Sequence, residues 1–394
     1  MLFYLSSTQG IGGTIKSRPE DFLVEEITPD GTVLELDSKV QREGNGRFTH
    51  FVVQKKNWST SAAVLEISKR LRIGHKRLSF AGTKDKNAVT TQMVSVFDVP
   101  PEKVLSLKIK DISTNGAWPA ADKVRLGQLL GNRFTIRVRG AGENPGESVK
   151  KIVSELDGRF PNYFGEQRFG STRRNTHRIG LHLLKNEFRD SVNLFLCETG
   201  EERNPLAARA RKNLESSEDY RAALSEFPRH LRLERKVIAH LAENPGDYKG
   251  ALKKLPRHIL LLFVHALQSH IFNRMLSERI QKGLLEPEKG EYYCGETSGF
   301  PDIRKFQESG WVAGKLIGFK SPLNEREEKE LEKMGLAKED FMMEELPEIS
   351  SPGTYRTLLA PVKDFNFSND IFRFSLPAGS YATVLMREFT DSKR

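Results

Sequence analysis

Asn132-Arg-Phe-Thr-Ile-Arg-Val-Arg139 alternates without a break: Phe134, Ile136 and Val138 fall on one side, and Arg133, Thr135, Arg137 and Arg139 on the other. A period of two is the mark of a strand with one face in a core and one toward water. Upstream, residues 14–27 repeat the pattern, with Phe22, Val24 and Glu26 opposite Leu23, Glu25 and Ile27. Residues 48–54 and 93–97 are two more β-rich runs. Between them, residues 60–72 predict a helix. Thr60 is placed to cap its first turn, Lys69, Arg70 and Arg72 suit its negative C-terminal end, and Gly74 stops it. The first 140 residues therefore read as a sheet with one helix.

Downstream the texture changes. Ala141-Gly-Glu-Asn-Pro-Gly-Glu147 is loop-like, and the next two hundred residues read as mainly helical. Candidate helices cover 185–197, 205–214, 221–227, 230–242 and 325–334, and the strongest covers 259–280 with His265 and His270 embedded in it. The tail returns to strand character at 371–376, followed by a helix capped near Ser380. Strand-rich start, helical middle and strand-bearing tail suggest one domain interrupted by another.

At 394 residues the chain is long enough for two or three domains. Sixty-two Lys+Arg against 52 Asp+Glu leave a formal charge of +10, a balance that suits a polyanionic partner such as nucleic acid. The two cysteines, Cys197 and Cys294, are too few for a disulfide framework or a cysteine-rich zinc site, and fit a reducing, cytoplasmic setting. The longest purely apolar run, Ile259 to Val264, is too short to span a bilayer, and the first residues carry no secretory signature. No membrane association is expected.

The densest basic stretch, residues 69–86, holds Lys69, Arg70, Arg72, Lys76, Arg77, Lys84 and Lys86, and its one carboxylate is Asp85. Such a stretch reads equally as a phosphate-binding surface or as a solvated helix end. Asp85 sits in Phe80-Ala-Gly-Thr-Lys-Asp-Lys-Asn-Ala-Val-Thr-Thr-Gln92, where Gly82 permits an unusual backbone and the flanking lysines favour a charged carboxylate. A carboxylate so placed is a nucleophile, a general base or a member of a structural ion pair. A second segment, Asn162-Tyr-Phe-Gly-Glu-Gln-Arg-Phe-Gly170, interleaves aromatics and glycines and is followed by Arg173, Arg174, His177 and Arg178. Together with Arg168, these arginines suit phosphate contact beside base stacking. A core-facing turn that buries Tyr163 and Phe169 is the plain alternative.

These segments resemble the motifs of the TruD family of tRNA pseudouridine synthases. Residues 80–92 are similar to its Gly-x-Lys-Asp-(Lys/Arg) signature, and 162–170 to its Asn-Tyr-Phe-Gly-Glu-Gln-Arg-Phe-Gly string. Lys16-Ser-Arg-Pro-Glu-Asp-Phe-Leu-Val-Glu-Glu26, Gly131-Asn-Arg-Phe-Thr-Ile136, Leu267-Gln-Ser-His-Ile-Phe-Asn273, Gly353-Thr-Tyr-Arg356 and Leu376-Pro-Ala-Gly-Ser-Tyr381 resemble further family motifs, in the family's order. The length of the middle section is nearer the archaeal and eukaryotic branch.

The resemblance implies an α+β pseudouridine synthase fold, with a mixed, largely antiparallel sheet interrupted by a mainly helical TRUD domain. It divides the chain into a catalytic part over 1–155, an insertion over 162–361 and a closing catalytic part over 362–394. It also implies isomerisation of uridine in tRNA, with position 13 the family's usual target, or in other structured RNA, without metal, nucleotide or other cofactor. Asp85 takes the catalytic position with Lys16 beside it, and Phe22, Glu26, Asn132 and Phe134 line the uridine pocket. Lys84, Lys86, Arg168, Arg173, Arg174 and Arg178 are the candidate RNA contacts. For Phe134 the residue pattern itself favours the core, and His265 and His270, on an apolar helix, read as core histidines. Two other readings compete: an RNA-binding protein that keeps the fold without catalysis, and a carboxylate-dependent hydrolase. The second lacks an evident partner acid or base for Asp85 in the sequence.

Overall fold

The computed structural model describes residues 2–170 and 172–391, which form two compact units. One holds 4–162, 295–302 and 359 onward. The other holds 163–294 and 303–358, with Leu2 and Phe3. Against the insertion expected over 162–361, the second unit covers 163–294 and 303–358 and leaves 295–302 to the first.

The first unit carries β1 (Phe22–Ile27), β2 (Phe48–Lys56), β3 (Leu78–Phe80), β4 (Val89–Phe97), β5 (Ile112–Ala120), β6 (Gly131–Arg137) and the short β7 (Arg159–Pro161). The second carries β10 (Trp311–Leu316), β11 (Thr354–Thr357) and most of β8 (Tyr292–Thr297) and β9 (Phe300–Gln307), whose shared tip 295–302 belongs to the first. The chain then returns with β12 (Leu359–Pro361), β13 (Lys363–Ser368) and β14 (Ile371–Pro377). The main sheet runs β13-β14-β6-β1-β4-β2-β5, with β3 paired to β4. The tail strands β13 and β14 therefore complete the sheet begun at the other end of the chain. Only β1 and β4 run parallel; the other pairs are antiparallel.

Register places the alternating residues of β6 and β1 on common faces. Phe134 stands opposite Val24 on β1 and Phe374 on β14, and Asn132 opposite Glu26. Val24 is opposite Thr90, and Thr90 opposite Lys55 on β2. This face buries Phe22, Phe51, Val53, Val94, Phe134, Ile136, Phe372 and Phe374. The helix Thr60–Arg70 covers one part of it, packing Ala63, Val64 and Ile67 against Phe51, Val53 and Val94. Phe389, from the helix Ala382–Thr390, stacks on Phe365 at 5.4 Å and packs on Phe372 at 5.1 Å. Each such ring contributes roughly 1.5–3 kcal/mol by leaving water. On the same face sit the polar residues Glu26, Lys55, Thr90 and Asn132.

The cap expected at Thr60 falls elsewhere, and the last helix, expected to begin near Ser380, begins at Ala382 without a side-chain cap. Ser59, not Thr60, caps its helix by accepting from the Ala62 amide. Ser380 donates to the Asn162 side chain at 2.9 Å and does not cap the last helix. The tip 295–302, at the turn between β8 and β9, carries buried Phe300. A Cβ on Gly131 would lie 3.3 Å from that ring, and the Lys363 ammonium sits 5.2 Å from its centre.

In the second unit, helices pack around Arg257–Lys282, with Leu260, Val264, Leu267 and Ile271 in one large apolar cluster. That helix is long and apolar enough to cross a membrane, but 67% of its most apolar stretch is buried, as in a core helix. The reading of this region as mainly helical overlooks the sheet β11-β10-β8-β9.

Candidate active site

Asp85 lies in the loop between β3 and β4, and the loop is braced from several sides. Because Ser59 has taken the cap, the Thr60 hydroxyl is available to accept from the Lys84 amide at 2.9 Å and to donate to Gln92 Oε1 at 2.8 Å. Gln92 Nε2 donates to the Gly82 carbonyl. Gly82 has no positive φ, so the unusual backbone expected there is absent. Lys16, by contrast, adopts φ +59°, a conformation uncommon outside glycine and often found at functional positions. From that turn its ammonium meets Asp85 Oδ1 at 3.2 Å, and its carbonyl accepts from Asn87 Nδ2 at 2.9 Å. The same ammonium lies 4.1 Å from the centre of the Phe22 ring. The Asp85 side chain keeps 23% of its exposure. It is a fixed, reachable carboxylate beside a fixed positive charge, which suits attack on an electrophilic carbon or acceptance of a proton.

The expected pocket residues are placed unequally. Asn132 and Glu26 are direct neighbours across β6 and β1. Glu26 is buried, accepts from the Met93 amide at 3.0 Å and pairs with Lys84 at 2.6 Å. That pairing corrects the expectation for Lys84: its side chain is only 4% exposed, so it cannot reach a phosphate in solvent. Removing either partner would leave a buried charge unpaired, at a cost of about 3–5 kcal/mol. Asn132 Oδ1 is buried with no hydrogen-bond donor among the described residues. Phe134 is 5% exposed, edge-on to Phe22 at 6.0 Å and tilted on Phe374 at 5.6 Å. This is the core packing implied by the alternation.

One residue absent from the sequence reading lies beneath the loop. Lys55 is 1% exposed and donates to the Trp58 carbonyl at 2.7 Å and the Asp85 carbonyl at 2.9 Å. Burial pushes its ammonium down to about 8, against the opposing pull of Asp85.

The family model described as tRNA pseudouridine synthase D (TruD) matches residues 1–389. The chain belongs to the TruD family. It is 37% identical to the protein named "Probable tRNA pseudouridine synthase D" in Thermococcus sibiricus, over 98% of this chain and 96% of that one. Its identity to the protein of the same name in Thermococcus onnurineus is 38%, with the same coverage. A TruD crystal structure from Methanosarcina mazei superposes with a TM-score of 0.76 at 30% identity, covering 99% of this chain and 96% of that one. The α+β architecture with its helical insertion is therefore TruD-type, and the activity class is pseudouridine synthesis.

The remaining candidates lie in several settings. Lys86 is exposed on the Asp85 loop. Arg168, Arg173, Arg174 and Arg178 belong to the helical unit. Arg173 is a correction: it donates to the Phe195 carbonyl and faces Glu234 at 3.7 Å, and burial lowers its proton affinity. It is a structural arginine. Arg174 is exposed beside Glu166, and Arg178 is paired with Glu198 at 2.6 Å. Arg168 donates to Ser269, which ties the 162–170 motif to the 267–273 motif, as does the exchange of hydrogen bonds between Phe164 and Asn273. His270 stacks on His177 at 4.4 Å, and burial lowers both, His177 to about 4. Burial also lowers His265. Among the described residues, His182, Glu187 and Asp190 bring possible metal-ligand atoms within 4.8 Å of one another. This trio lies in the helical unit, apart from the Asp85 loop in the fold's division.

Proposed function

We propose that this TruD protein converts uridine to pseudouridine at position 13 of tRNA, with Asp85 as the reacting carboxylate. The observation that carries the reading is the Lys16–Asp85 pair at 3.2 Å, on a loop braced by Thr60, Gln92 and Asn87. In the reaction the bond between N1 and C1′ breaks, the base turns, C5 bonds to C1′ and gives up its proton, and N1 takes up a proton, so the product is an isomer of the substrate. A uridine in folded RNA must first be extruded, at a cost of a few kcal/mol of stacking. Asp85 serves as nucleophile at C1′ or C6, or as the base that removes the 2′-proton. The lone acceptor Asn132 Oδ1 suits the N3–H of uracil, a donor that a cytosine ring lacks at that position. Discrimination on this basis comes from the cost of leaving a buried acceptor unmet.

Lys86, Arg168, Arg174 and Arg178 remain the proposed phosphate contacts, with tRNA binding that weakens as salt rises. Cys197 and Cys294 are buried and belong to no disulfide, which agrees with the cytoplasmic location proposed here. The test is to incubate the protein with unmodified tRNA and map pseudouridine by position. Modification at position 13 by the wild type, and none by Asp85→Asn, supports the reading. Folded protein that binds tRNA and modifies nothing overturns it.

A further inference from the structure

We infer that Lys55 is a positioning residue for the reaction, holding the Asp85 loop from below and keeping a positive charge against the reacting carboxylate. The inference rests on the role proposed for Asp85 and adds a residue to it. Lys55 is the penultimate residue of β2 and lies opposite Thr90 on β4 and Ile112 on β5, neither of which carries charge. Its ammonium is enclosed and donates to two carbonyls, those of Trp58 and Asp85. The first belongs to the segment that leads into the capped helix Thr60–Arg70, and the second to the catalytic position itself. One side chain therefore clamps the helix start and the loop together.

A structural role alone would not require charge. Two carbonyls can be met by a neutral donor, whereas an enclosed ammonium is costly unless paired. Among the described residues Lys55 makes no ion pair, and both of its acceptors are neutral oxygens. The charged groups acting on it are Asp85, which favours the ammonium, and Lys84, which opposes it and is already engaged by Glu26. The charge is thus directed at Asp85. Lys16 compensates that carboxylate from its exposed side, and Lys55 from its enclosed side. Lys55 need not touch the uridine to act.

The test uses the full chain, an unmodified tRNA transcript and Lys55→Met, which keeps length and apolar volume but removes the charge and the donors. The expected result is a folded protein with unchanged tRNA affinity and KM, and a single-turnover rate lower by on the order of 100-fold, as for a misplaced reacting group. A folded Lys55→Met protein with the wild-type rate overturns the inference, and so does an activity loss that only follows the folded fraction. A second measurement, on the wild type, covers the case in which the variant does not fold. Its rate should fall as pH rises through about 8.

Stability should move the opposite way. Between the folded value of about 8 and the ordinary 10.5, the unfolded chain holds a proton that the folded chain has released, so stability contributed by this group increases with pH. A rate that stays flat through pH 8, or falls only in step with unfolding, overturns the inference. If the wild type makes no pseudouridine at all, the proposed function fails instead, and the two failures are distinguishable.

Discussion

Two buried lysines, one in each unit, are held in different ways. Lys315, on β10 of the helical unit, donates to the Lys289 carbonyl, to the Pro322 carbonyl at 2.8 Å and to Glu327 at 2.7 Å. Its charge is answered within its own pocket. Lys55, on β2 of the first unit, has only carbonyls as hydrogen-bond acceptors among the described residues and is pushed down to about 8. A buried cation with its own carboxylate stabilises a particular packing, and its field is largely cancelled nearby. One without such a partner leaves its field acting on a carboxylate nearby, and here that is Asp85. Burial alone therefore does not distinguish a structural lysine from a functional one; the acceptor set does.

The sharpest way to break this contrast is at Asp85. Asp85→Asn should fold and bind tRNA at least as well as the wild type, yet form no detectable pseudouridine. A near-normal rate in the folded variant would remove Asp85 from the reaction. Next in size is Lys315→Met, which leaves Glu327 buried without its cation. It should lower stability by about 3–5 kcal/mol while activity per folded molecule stays normal. Denaturant melts run beside single-turnover rates check both halves, and a rate loss without a stability loss would reverse the contrast.

Phe134→Ala should cost a comparable or slightly smaller amount, about 3–5 kcal/mol less whatever the cavity recovers by collapse. If Phe134 acts only in the core, the rate per folded molecule holds; a rate loss beyond that would show that its ring also supports the extruded base. The smallest effect concerns the helical unit's histidines. His177 titrates at about 4 in the fold against 6.5 unfolded, so between these values the unfolded chain binds more protons and stability falls as pH drops. A His177→Gln variant should show a shallower fall in melting temperature over that acid range.

Parts of this organisation were legible in the residues. The alternation at 132–139 is visible because each side chain's face is set locally, and it correctly placed Phe134 with Ile136. Asp85 stood out as a lone carboxylate among cations. The β8–β11 sheet did not, because β9 ends in the exposed, mostly polar run Arg304-Lys-Phe-Gln307 and glutamate-rich segments flank it. Tyr292-Tyr-Cys294 was the available signal. Lys55 was hidden for a different reason. In Gln54-Lys55-Lys56 two adjacent lysines look alike, and only strand register buries one and exposes the other. Lys84 and Arg173 misled in the same way, since composition counts charges and says nothing of the carboxylate or carbonyl that each has already met.

The tip at 295–302 bears on how such a protein could be rebuilt. Although residues 163–358 look removable as one cassette, joining 162 to 359 would also delete Phe300 from its place beside Gly131 and Lys363. Gly131 begins the strand that carries Asn132, so the excised protein would lose part of the packing at the edge of its own pocket. A minimal catalytic core would need that octet grafted back as a separate loop, and a relative with a shortened insertion would have to fill the same space with other residues.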